Sequence, residues 1–109
     1  MMTLLLVTYP SDKDYMGWSR SLVERGLAAS VNVINIKSTY FWESQVQTGD
    51  EVLLIIKSDR RVSQNLKDVV LAEHPYKVPC IVELSPIDVN SSYLEWVAAV
   101  TLGRRLDGL

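Results

Sequence analysis

The chain has 109 residues, 48% of them hydrophobic and 22% charged, with a net charge of −2. That is enough chain for one domain with its own core, and the slightly negative balance gives no electrostatic pull toward nucleic acid or an anionic membrane. A single cysteine forms no internal disulfide, which argues against a stapled secreted scaffold and for a reducing compartment, the cytoplasm, and no apolar run reaches the length of a membrane span.

The start, Met1 to Thr8, lacks the basic segment of a signal peptide and reads instead as a first strand over Leu4 to Thr8, closed by Tyr9-Pro10. Ser11 is placed to cap a first helix from about Asp12 to Arg25. Its apolar positions Tyr15, Met16, Trp18, Leu22 and Val23 recur at helical spacing, and Gly26 supplies the stop. Ala28 to Trp42 is a long stretch rich in β-branched and aromatic residues, followed by a second β-rich run from Glu51 to Lys57. The polar residues between them predict a hairpin with its turn at Ser44 or at Gly49-Asp50. Asp59 is placed to cap a second helix with the apolar face Val62, Leu66, Val69 and Val70, which Pro75 ends. Cys80 to Leu84 predicts a fourth strand bounded by Pro86. Asn90 then caps a last helix from Ser91 to Leu102 that Gly103 stops.

The predicted class is α+β, a ferredoxin-like βαββαβ sandwich over residues 1–109 with an extra C-terminal helix and a long hairpin between the second and third strands. Val52 to Ile56 presents apolar side chains to both faces of the sheet. The last helix carries Tyr93, Leu94, Trp96, Val97, Val100 and Leu102 around most of its circumference. A lone chain would leave much of that wet, so an oligomer is expected in which a partner chain covers the second sheet face, the hairpin or the last helix.

The only histidine and the only cysteine, His74 and Cys80, share the run His74-Pro75-Tyr76-Lys77-Val78-Pro79-Cys80. Both are soft metal-ligand types, but six residues of extended chain span roughly 20 Å, and each proline pushes the residue before it toward extended geometry. The run therefore predicts a helix stop followed by a strand entry, with no chelation within one chain.

The segments LVERGLAASVN (Leu22 to Asn32), STYFWE (Ser38 to Glu43), EVLLIIKS (Glu51 to Ser58), HPYKVP (His74 to Pro79) and YLEWV (Tyr93 to Val97) together resemble the CutA divalent-cation-tolerance family, in order and over essentially the whole chain. The resemblance implies a ferredoxin-like subunit in a tight homotrimer, a role in tolerance of divalent metals, copper especially, and no established catalytic reaction. Three positions depart from the family pattern. Ser30 stands where a cysteine is frequent, Cys80 where a glutamate is frequent, and Ser44 where a glycine is common.

His74 is chemically suited to copper or zinc. The competing reading is a histidine that meets the last carbonyls of its helix. Cys80 at a strand start reads as a small buried residue or as a ligating thiol. A trimer is able to bring His74 near a carboxylate such as Glu43 or Glu83 of another chain, so the candidate metal set is His74, Glu43, Glu83 and Cys80. Tyr40, Trp42, Tyr76, Tyr93 and Trp96, with Lys57 as a cation, form a candidate interface cleft. They serve either as subunit anchors or as the lining of an effector pocket of the kind PII-type signalling trimers suggest. An RNA-recognition module is disfavoured by the lack of aromatics in Val52 to Ile56. An acylphosphatase-like enzyme is disfavoured by the acidic turn Tyr9-Pro10-Ser11-Asp12, and no catalytic set is defensible around the one histidine.

Overall fold

In the computed structural model, which describes residues 1–101, the chain runs β1 (Met2–Pro10), α1 (Tyr15–Glu24), β2 (Ser30–Trp42), β3 (Gln45–Asp59), a 3₁₀ turn (Arg60–Val62), α2 (Ser63–Glu73), β4 (Ile81–Leu84) and α3 (Ser91–Val100). All strand pairs are antiparallel, in the order β2-β3-β1-β4. This is the split βαβ arrangement expected, with α3 added.

Alternation along the strands divides the sheet into two faces. Leu5, Val7 and Tyr9 of β1 and Val52, Leu54 and Ile56 of β3 face α1 and α2, where they form the main core with Leu22, Leu66 and Val70. A doubly bonded ion pair, Arg25 Nη2 to Glu73 Oε2 at 3.0 Å and Nη1 to Oε1 at 3.1 Å, ties the two helices together, and Trp18 Nε1 donates to the same carboxylate. The last helix crosses to the opposite face, where Val97 packs with Met2 and Ala29, backed by Leu4 and Tyr93. The rest of that face is open. Ile34, Val82, Leu84 and Trp96 are all exposed in the single chain.

Several boundaries differ from expectation for local reasons. The first helix begins at Tyr15 because Asp14, not Ser11, caps it: the Asp14 carboxylate accepts from the Gly17 N–H at 2.9 Å. It ends as predicted at Gly26, whose φ of 72° lets Gly26 N–H reach Val23 O and Leu27 N–H reach Leu22 O, a Schellman stop. The hairpin turn falls at Glu43-Ser44, both with positive φ (52° and 62°), as the tight two-residue turn requires. Gly49 and Asp50 are therefore paired strand residues, opposite Ser38 and Lys37. Asp59 caps the 3₁₀ turn through Arg61 N–H, and the second helix follows from it. Asn90 occupies the N-cap position of α3, but its amide bonds to Ser92 Oγ and caps no backbone N–H. Leu102 and Gly103, expected to finish that helix, lie outside the described residues.

Candidate functional site

The His74–Cys80 run leaves α2 as the prolines predict. His74 is the C-cap in extended geometry, and its N–H donates to Val70 O. Its ring turns inward, is 8% exposed, and lies among Tyr9, Tyr76 and Trp18, with ring centroids 5.1, 4.9 and 6.3 Å away. Tyr76 N–H donates to Nδ1 at 3.0 Å, so Nδ1 carries no proton. Nε2–H therefore donates to Thr8 O, 2.7 Å away. Both nitrogens are spent on backbone groups, and neither keeps a lone pair for a metal in this conformation.

Beyond His74 the loop passes over one end of the open sheet face. Residues of β2 and β3 whose numbers sum to 87 pair across the hairpin, which puts Ser38, Tyr40, Trp42, Glu51 and, from β1, Thr8 on that same face. With Pro75, Tyr76, Lys77 and Cys80 they line an open cleft of about 640 Å³. At its base Glu51 is 9% exposed, and Tyr76 OH donates to its Oε2 at 2.7 Å. Burial, then the bond to the Glu51 carboxylate, raises the Tyr76 phenol well above its usual range, so it stays a donor throughout the accessible pH range.

Cys80 corrects its predicted burial. Ile81 turns to the helix-side core, so by alternation Cys80 faces the cleft and is exposed. The proposed aromatic set splits in two. Tyr40, Trp42 and Tyr76 share the cleft, whereas Lys57 pairs with Leu4 and Ser30 six residues up β3 from Glu51, about 20 Å away. There Lys57 Nζ sits 5.7 Å from the Tyr93 ring centroid, and Tyr93 packs on Trp96 at 5.4 Å. Lys57 is thus a cation–π partner of α3 and supplies no charge to the cleft.

The carboxylates separate as well. Glu83 faces the helix side, where Lys67 Nζ and Thr3 Oγ1 donate to its two oxygens, each at 2.7 Å. Lys67 first, then Thr3, holds its carboxyl below the usual range. Glu43 is exposed at the hairpin turn. Among the described residues no three His, Cys, Asp or Glu side chains converge. Glu51 went unnoticed in the sequence because its place depends on the turn position. With the turn at Glu43-Ser44 its register opposite Ile36, and hence its face, follows.

The family model described as CutA1 divalent ion tolerance protein matches residues 3–100. The chain is 38% identical over 98 residues to a divalent-cation tolerance protein CutA of Thermus thermophilus, covering 89% of this chain and 95% of that protein. It is 38% identical over 96 residues to human protein CutA, covering 87% of this chain but 54% of the human one. A solved structure described as a periplasmic divalent cation tolerance protein CutA from Archaeoglobus fulgidus superposes with a TM-score of 0.86 at 29% identity, covering 92% of this chain and 98% of that one.

Proposed function

The chain belongs to the CutA1 divalent ion tolerance family, and we propose that it acts in divalent-cation tolerance, copper in particular, as a homotrimer whose subunit boundaries complete the metal site. The observation that carries this is which donors remain free. Of the four candidate ligands, His74 is held by Thr8 and Tyr76 and Glu83 by Lys67 and Thr3, while the Cys80 thiol is exposed and Glu43 stands at the hairpin turn. Two donors are too few for a closed site, so the remaining ligands come from a second copy of the chain. A thiolate selects copper over hard divalent ions such as magnesium and calcium, and copper taken up as Cu(II) is held by such a donor as Cu(I) in a reducing compartment.

Trimerisation is supported by what the single chain leaves bare. Ile34, Val82, Leu84 and Trp96 lie exposed on or beside the second sheet face, and Phe41 and Val46 near the hairpin tip are 72% and 70% exposed. Among the described residues the short outer strand β4 pairs only with β1 and leaves one edge open. No helix among the described residues is long and apolar enough to cross a membrane. The exposed thiol favours a reducing compartment, the cytoplasm, where it persists as a ligand. The proposed role is binding without turnover.

Light scattering after size exclusion is expected to return three times the chain mass of 12.3 kDa. Calorimetric titration under reducing conditions is expected to show tight copper(I) binding that Cys80→Ser abolishes and Glu43→Gln weakens. A monomer mass, or copper affinity unchanged in both variants, would sink the proposal.

A further inference from the structure

The cleft holds a charge that the metal reading does not use. Glu51 is 9% exposed, and one of its oxygens is taken by Tyr76 OH. No described residue donates to its other oxygen, and none forms an ion pair with it. A carboxylate enclosed on most sides, with one oxygen left facing the cleft, is placed to meet a cation that enters it. Three aromatic residues, Tyr40, Trp42 and Tyr76, line the same cleft, and the face of an aromatic ring carries the negative end of its quadrupole. The geometry points to a binding site for a small organic cation, an alkylammonium or methylated ammonium, whose charge meets Glu51 and whose alkyl groups lie against these rings.

The competing ligand classes fit less well. An anion would be repelled by Glu51. A hard divalent cation wants about six or more oxygen ligands, favouring carboxylates, and the cleft offers a single carboxylate, Glu51, beside the neutral side chains of Thr8, Ser38 and Thr39. A volume of about 640 Å³ suits a small molecule. Among the described residues Lys77 is the one cationic side chain on the lining, and it is exposed and forms no ion pair with Glu51. It therefore competes with the ligand at the rim without filling the site. Tyr76 links the cleft to the buried framework, because its N–H is held by His74 and its hydroxyl by Glu51, so one ring wall is preorganised.

The test uses the full chain in buffer with chelator, which separates it from the metal reading, and compares choline with its neutral isostere 3,3-dimethylbutan-1-ol. Calorimetry and Trp42 fluorescence are expected to show saturable choline binding, with the isostere weaker by about tenfold or more. Glu51→Gln is expected to weaken choline by about tenfold and leave the isostere unchanged. Lys77→Ala is expected to strengthen choline binding. Should Glu51→Gln fail to fold, Tyr40→Leu, which removes a ring and leaves the carboxylate, carries the same expectation of weakened choline binding. Equal affinity for choline and the isostere, retention of choline affinity in Glu51→Gln or in a folded Tyr40→Leu, or no saturable binding of choline or butylammonium overturns the proposal.

Discussion

Replacing His74 by alanine separates a structural histidine from a ligand. The substitution removes Nε2–H···Thr8 O at 2.7 Å and Tyr76 N–H···Nδ1 at 3.0 Å, two partly buried hydrogen bonds to backbone groups. Two such bonds contribute about 1 kcal/mol each. The ring also gives up its contacts with Tyr9 and Tyr76, centroids 5.1 and 4.9 Å away, and the more distant one with Trp18 at 6.3 Å, together about 1.5 kcal/mol. His74→Ala is therefore expected to cost about 3–4 kcal/mol. Urea denaturation at fixed chain concentration measures it, since association would otherwise shift the midpoint. His74→Asn is the control. An asparagine carbonyl at this position is able to accept from the N–H two residues on, as in an Asx turn, so it should recover about 1 kcal/mol. A loss below about 1 kcal/mol for the alanine variant, accompanied by loss of copper binding, would refute the assignment and return His74 to the metal set.

Three carboxyls make stability fall in acid. Glu73 is held low by Arg25 first and then by Trp18, and Glu83 by Lys67 and then Thr3. For Asp59 burial pushes upward, but the bonds from Arg61, aided by the N-terminal ammonium, outweigh it and the net shift is downward. Because each folded value lies below the unfolded one, their stabilisation is present above the ordinary carboxylate range and is lost as pH falls through the folded values. Denaturation midpoints should thus drop on acidification below about pH 4, and Glu73→Gln should flatten the slope, modestly because both partners of the Arg25 pair are slightly over a third exposed. Ser44→Gly should raise stability by about 0.5–1 kcal/mol, since Ser44 holds φ at 62° in the hairpin turn; thermal melting checks it. Gly26→Ala should lower it by about 1 kcal/mol, because φ there is 72°, and an unchanged melting temperature would count against the Schellman assignment.

Much of the architecture is legible in the chain because it rests on local chemistry. Continuous apolar, β-rich runs in Leu4 to Thr8 and Glu51 to Lys57, the left-handed stop at Gly26 and the two prolines after His74 each impose their own geometry whatever surrounds them. The whole-chain segment pattern extends this to the family. The hairpin was less legible, because Glu43-Ser44 lacks the asparagine or glycine that announces a tight turn, and Gln45 to Asp50 has the composition of a loop.

The order of elements and the stop at His74 were thus determined by residues acting on their immediate neighbours. The roles of the candidate residues were decided only in three dimensions. Once the turn is placed, pairing carries Glu51 onto the face of Tyr40 and Trp42, while Lys57, six residues away in the same strand, goes to Tyr93. His74 is occupied by Thr8, 66 residues earlier, and Cys80 is exposed because Ile81 takes the core position. Hydrogen-bond satisfaction and strand parity are long-range properties. No window of sequence contains both partners of such a contact, and for that reason a compact motif of one histidine and one cysteine became a structural histidine and a cysteine at the rim of a cleft.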